Sequence, residues 1–261
     1  MSKNVLGYEL WRGASSLSGD EIVCIATGFK GSSNRKTGDM IQTYILRADT
    51  TPVEAIKQNK DYAICGDCVH RGSGHGKGRT CYVNVGQGPR SVYDAWKRGR
   101  YSTSWDAELF RDKIVRLGTY GDPAVIPLEI WNEVLKYARG NTGYTHQWHT
   151  EAGRSYASYC MASVDSEDER RSATGLGFRT FRVTPPREQG SNKLIKEVVC
   201  PASEEAGKKL TCAECLACSG TKRGQRSGIV IQAHGPAPVM KNMRERHANS
   251  ITDVGVIAGT A

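Results

Sequence analysis

The chain has 261 residues, 38% of them hydrophobic and 24% charged, with a formal net charge of +9. That length buries a sizeable core without disulfide staples. The positive balance favours anionic partners such as nucleotides or nucleic acid, and no apolar run reaches the length of a membrane span.

In chain order, the first fifty residues read as β. Tyr8-Glu-Leu-Trp-Arg, Glu21-Ile-Val-Cys-Ile-Ala and Ile41-Gln-Thr-Tyr-Ile-Leu are branched or aromatic runs broken by glycine-rich turns. Thr51-Pro opens a short helix, so residues 1–60 are expected to form an N-terminal antiparallel β meander plus one helix. Asn34-Arg-Lys-Thr-Gly has the composition of a phosphate loop but not its spacing, and reads as an ordinary turn. Ser91–Arg98 carries Val92, Ala95 and Trp96 at helical spacing.

From residue 113 short apolar strands alternate with helices: Lys113–Tyr120, helix Leu128–Ala138, Gly143–Trp148, Ser158–Val164, helix Ser166–Ala173, Gly177–Val183, Lys196–Cys200 and Gly228–His234, with Tyr62–Ile64 a candidate additional strand. This is the pattern of an α/β fold whose parallel sheet is barrel-like, a partial or full (β/α) barrel over residues 61–236, with a C-terminal helix or tail over 237–261. In such folds ligands meet the carboxyl ends of the strands. Those ends carry Asp122, His146, Gln147, Asp165, Arg182, Cys200, Gln232 and His234. Asp122, His146, Asp165, Arg182 and His234 are the candidate catalytic residues.

Seven of the nine cysteines fall into two groups, Cys65, Cys68 and Cys81, and Cys200, Cys212, Cys215 and Cys218. Thiolates two residues apart turn inward onto one metal. The N-terminus lacks a signal-peptide stretch, so a cytoplasmic protein with metal sites is expected, not a disulfide framework. Cys24 and Cys160 read as core. Three cysteines leave an iron of a four-iron cluster open, whereas zinc would need His70 or His75 as fourth ligand. The second group is complete with four sulfurs. Its Cys212-x-x-Cys215-x-x-Cys218 run is close to the ferredoxin spacing, so iron–sulfur clusters are favoured over zinc.

Several stretches carry a resemblance: Ser33–Gln42, Cys81-Tyr-Val-Asn-Val-Gly, Arg116-Leu-Gly-Thr-Tyr-Gly-Asp-Pro, Cys160-Met-Ala-Ser-Val-Asp-Ser, and Cys200-Pro through Cys218. They resemble a family of bacteriophage and plasmid proteins with two cysteine clusters and, more distantly, radical S-adenosylmethionine enzymes. That resemblance implies cluster binding by Cys65, Cys68 and Cys81. It implies a cofactor contact at Tyr82, a Gly121-Asp122-Pro123 turn meeting the amino group of S-adenosylmethionine, and an auxiliary cluster on the second group. The chain departs from the pattern in two ways: the first three cysteines spread over seventeen residues, and the aromatic Tyr82 follows Cys81 instead of preceding it. The expected protein is an iron–sulfur enzyme in a bacterial host cytoplasm, acting on a small-molecule or nucleotide-like anionic substrate. The alternative is a non-catalytic, zinc-stabilised protein that binds nucleic acid or a host protein.

Overall fold

The computed structural model describes residues 5–32, 34, 36–185, 194, 196–207, 210–224 and 227–246. Strand β1 (Gly7–Ala14) pairs antiparallel with β2 (Glu21–Thr27), which pairs antiparallel with β3 (Ile41–Arg47). The five central residues of β2, Ile22–Ala26, are all fully buried, because helices and loops cover both faces of this sheet. The other edge of β3 receives β4 (Ile114–Tyr120) in parallel, and β4 receives β5 (Gly140–Thr142) in parallel. The meander therefore continues into the parallel part as one five-stranded sheet, β1-β2-β3-β4-β5.

Between β3 and β4 lie α1 (Pro52–Lys57), α2 (Tyr62–Cys65) and α3 (Gly88–Lys97). Thr51 caps α1 by accepting the Glu54 N–H at 3.3 Å, with proline at the first turn where no amide donor is needed. The strand anticipated at Tyr62–Ile64 is thus a single helical turn. Three apolar residues look the same in either state until the chain around them is known. After β4, helix α4 (Leu128–Val134) buries Trp131 completely, a contribution on the order of 3 kcal/mol.

A second five-stranded sheet contains β6 (Tyr144–Thr145), β7 (Met161–Val164), β8 (Thr180–Thr184), β9 (Glu197–Val199) and β10 (Gly228–Gln232), in the order β6-β7-β8-β10-β9 and parallel throughout. Gly143 alone separates β5 from β6. Helices α5 (Glu151–Arg154), α6 (Glu167–Gly175, capped by Ser166) and α7 (Cys212–Cys215) fill the connections, and residues 237–246 form a further helix. The fold is mixed α/β, with an antiparallel start and a parallel remainder. The strand expected over Gly143–Trp148 stops at Thr145, where the chain turns into a 3₁₀ segment. The one expected from Ser158 begins at Met161, and the helix expected to reach Ala138 ends at Val134. Cys24 and Cys160 are both buried. Among the described residues no helix is long and apolar enough to cross a membrane. Residues 247–261 of the expected C-terminal tail lie outside the described residues.

Candidate functional site

The first cysteine loop is fastened to the ends of two strands, β4 and β6. Cys65 is the last residue of α2, and the Asp122 N–H donates to the Ile64 carbonyl at 2.7 Å, which seats that turn on the end of β4. Gly121 makes the approach possible. Its φ is +85°, and a Cβ there would stand 2.7 Å from the Ile45 Cβ on β3. Gly66, at φ +58°, lies against the Gln147 side chain just beyond β6, and the Gln147 amide donates to Asp67 at 3.0 Å. Buried Asp61 accepts from Arg71 at 2.7 Å, and Arg71 also donates to the Gly66 carbonyl, which folds the loop back on itself. The Thr80 and Cys81 N–H groups both donate to the His70 carbonyl, at 3.1 and 3.0 Å, and bring Cys81 back to its partners.

Burial pushes the Cys65 thiol well up, and Cys68, Asp61 and Cys81 push it further; burial also raises Cys81, with Arg79 opposing. Buried sulfurs that hinder one another's ionisation become a set of thiolates only when a cation is placed among them.

Beside these sulfurs lies a polar knot. His146 Nε2 stands 3.7 Å from Cys68 Sγ and 3.7 Å from Asp165 Oδ2. His70 Nε2 is 3.4 Å from Asp165 Oδ1, its Nδ1 is 2.8 Å from Thr80 Oγ1, and Arg246 donates to Asp165 Oδ1 at 3.0 Å. Burial lowers His70 to about 4. Burial also opposes the charged form of His146, but Cys68 and Asp165 outweigh it and hold the imidazole well above its ordinary value. Asp165 falls to about 2: burial would raise it, but the His146 hydrogen bond and the positive charges of the knot prevail. His70, His146 and Asp165 bring their ligand atoms within 4.8 Å of one another, and they are the one such group of three among the described residues. His75 is elsewhere, its Nδ1 donating to the Lys57 carbonyl at 2.6 Å. Of the two histidines that spacing offered as a zinc ligand, only His70 is near, and His146 is the one that meets a cysteine sulfur.

The second group is held differently. Thr211 and Glu214 form a reciprocal cap on α7. The Cys212 and Ala213 N–H groups donate to the Lys36 and Thr37 carbonyls, each at 3.0 Å. The Asn34 side chain accepts from the N–H groups of Lys36 and Thr37, which ties these residues together beneath α7. Cys200 donates its N–H to the Val230 carbonyl at 2.8 Å, and the Cys218 carbonyl accepts from Gly143 at 3.1 Å. Burial raises Cys200, Cys212 and Cys218, the last to about 12, and neighbouring cysteines add to each.

Both groups open onto one cavity of about 540 Å³. Cys65, Cys68 and Cys81 line one part and Cys200 and Cys212 another; Tyr82, Gly121, Asp122, His146 and His234 also line it. Asp122 is engaged by backbone, its oxygens accepting from Ala124 at 2.9 Å and His146 at 2.8 Å, while burial raises its carboxyl. Asp165 reaches the cavity through His70 and His146. Arg182 departs from the expected common face. Its strand neighbours Phe181 and Val183 line the cavity, so alternation turns Arg182 outward, where it pairs with buried Glu197 at 2.7 Å. Two cavity residues not nominated from sequence are Arg116, on β4, and Lys36. A lone cation in the apolar run Ile114–Leu117 was the available signal for the first. Comparison with known protein families, curated proteins and solved structures gave no match.

Proposed function

We propose that the protein is an iron–sulfur enzyme of the radical S-adenosylmethionine type. The observation that carries this reading is the convergence of Cys65, Cys68 and Cys81 with the Gly121-Asp122-Pro123 turn on one cavity, pinned together by the Asp122-to-Ile64 backbone bond. In this reading the two sheets are parts of one curved, barrel-like wall around the cavity. The donor set fits a cluster. Cys65, Cys68 and Cys81 line one part of the cavity together, and three thiolates would leave one iron of a four-iron cluster open. When bound, a four-iron cluster with one open iron chelates S-adenosylmethionine and supplies the electron that cleaves its carbon–sulfur bond.

The chain's own contributions are separable. Cys65, Cys68 and Cys81 would hold the first cluster. His146, steered by Asp165, supports Cys68 through its imidazole. Asp122 fixes the turn and the start of the segment after β6. Cys200, Cys212, Cys215 and Cys218 would hold an auxiliary cluster on the opposite side. The largely apolar wall offers a bound substrate an apolar surface.

A second reading is favoured by the His70, His146 and Asp165 group: a single metal ion there, in a non-catalytic, zinc-stabilised protein that binds nucleic acid or another protein. Anaerobic purification with iron, sulfide and zinc analysis separates the two. The first reading expects brown protein with iron and sulfide, and after reduction the conversion of S-adenosylmethionine to methionine and 5′-deoxyadenosine. Colourless zinc protein that neither binds nor cleaves it leaves the second.

A further inference from the structure

Most buried and half-buried arginines of this protein meet a carboxylate or several carbonyls; two that line the cavity, Arg79 and Arg116, do not, and Arg79 still donates to the Val83 carbonyl at 3.3 Å. Arg47 pairs with Asp20 and Asp49 at 2.7 and 2.8 Å, Arg71 with Asp61 at 2.7 Å and Arg182 with Glu197 at 2.7 Å. Arg179 is satisfied by the carbonyls of Ala217, Gly220 and Ser227. Arg116 has no such partner. Among the described residues its guanidinium makes one hydrogen bond, from Nη2 to the Tyr82 hydroxyl at 2.9 Å, and lies 5.9 Å from the Tyr144 ring centre. Its Nε is buried without a partner, and no carboxylate of the described residues lies within 4.0 Å. It stands in the cavity wall between fully buried Val115 and Leu117. A half-buried guanidinium with no carboxylate beside it, in a largely apolar cavity wall, is a ready partner for an anion that enters the cavity.

We propose that Arg116 anchors an anion-binding subsite in this cavity, taking the phosphate or carboxylate end of a substrate whose aromatic or apolar body lies between the two cysteine groups. The planar fork of a guanidinium matches both oxyanions. Lys36 adds a second charge: it lines the same cavity, its Nζ is 3.3 Å from His234 Nε2, and no carboxylate pairs with it among the described residues. The acids that line the cavity are already engaged, Asp61 by Arg71 and Asp122 by backbone N–H groups. Tyr144 and Phe181, with ring centres 4.5 Å apart, and Val183, Ile231 and Met243 provide the apolar side. The cavity volume suits a ligand the size of a mononucleotide. This deepens the proposed function by naming the substrate's anchoring group, and rests on that reading only for the chemistry after binding.

The competing account is that Arg116 balances charge at Cys212, whose thiolate acts on it electrostatically. Titration calorimetry on the purified full-length protein, without turnover, tests the two with matched probes: 5′-AMP against adenosine for the phosphate arm, and indole-3-acetate against indole for the carboxylate arm. The expected result is that one charged probe binds about tenfold tighter than its neutral parent, and that Arg116→Gln removes the margin with metal content unchanged. Arg116→Lys, which keeps the charge and loses the fork, lowers the margin and carries the test should the glutamine variant not fold. Equal binding of charged and neutral probes overturns the proposal, as does no binding by any probe. So does metal loss in Arg116→Gln with an unchanged margin. Colourless protein that retains the margin defeats the cluster reading and spares this one; brown protein without it does the reverse.

Discussion

The two cysteine groups face one cavity but are built on different principles. The first stands on a loop held by its own side chains and by bonds to the ends of β4 and β6, and shares its space with His70, His146 and Asp165. The second stands on a short capped helix held by backbone bonds to residues 36–37, and the charges that bear on its sulfurs come from Lys36, Arg116 and the cysteines themselves. A site surrounded by titratable groups can orient and exchange ligands. A site closed by four sulfurs can only hold or relay charge. On the proposed reading, these surroundings suit the first group to chemistry and the second to support.

The largest effect should therefore come from the second group. Cys218→Ser should remove its metal and several kcal/mol of stability together, because metal binding is coupled to folding and Cys218 is buried in the cluster of Met161, Ile229 and Ile231. Metal analysis and thermal melting on the same sample check this. Full metal content with unchanged melting would show that this group is not a metal site. Cys68→Ser should abolish iron at the first site with a smaller loss of stability, since strand-end contacts remain.

Next comes Gly121→Ala, aimed at the first group alone. The new Cβ must occupy a left-handed backbone and a position 2.7 Å from the Ile45 Cβ. The cost should be about 2–4 kcal/mol. The displaced Asp122-to-Ile64 bond should lower iron at the first group and leave the second full. Equal loss at both would mean that the two sites fold as one.

A smaller and more selective effect is expected at the histidines. His146→Gln should weaken metal affinity at the first site about 10- to 100-fold, the usual result of removing a group that orients a ligand. His75→Ala should do nothing, because that side chain bonds the Lys57 carbonyl. Competition with a chelator reads both. A reversal would restore the zinc site closed by His75.

Much of this contrast is legible in the residues. Cysteine spacing defines both groups, and the strand-end rule brings Asp122, His146 and His234 to the cavity. Parity and context are where the rule fails. Arg182 is the middle residue of β8, not its end, and it points outward; Phe181 and Val183 on either side already mark the inward face. Tyr62–Ile64 forms a helical turn because Asp61, Arg71 and Gly66 close the loop around it, which no local run of apolar residues reveals. Arg116 is visible as a lone cation in an apolar strand. Its lack of a carboxylate partner is a property of the folded cavity, not of the sequence.

The smallest effect should come from the clamp that the helix of residues 237–246 places on the first site. Arg246 bonds Asp165 at 3.0 Å and Thr80 at 3.3 Å, and Asn242 bonds the Arg79 carbonyl at 2.9 Å. A third of the Arg246 side chain is exposed, so solvent screens the pair. A double-mutant cycle of Asp165→Asn and Arg246→Ala should give a coupling of about 0.5–1 kcal/mol at neutral pH. The sign of its acid dependence comes from Asp165. Its carboxyl lies at about 2 in the folded protein, below its ordinary 3.8, so the unfolded chain takes up the proton first. The stabilisation is complete above about pH 4 and fades as the pH falls toward 2. Chemical denaturation at pH 7 and pH 3 should show the coupling shrinking at the lower value. A coupling that grew in acid would mean that His70, neutral down to about 4 and cationic below it, dominates the knot instead. That outcome would make the first site an acid-strengthened ion pair and remove the ground for calling it the more chemically active of the two.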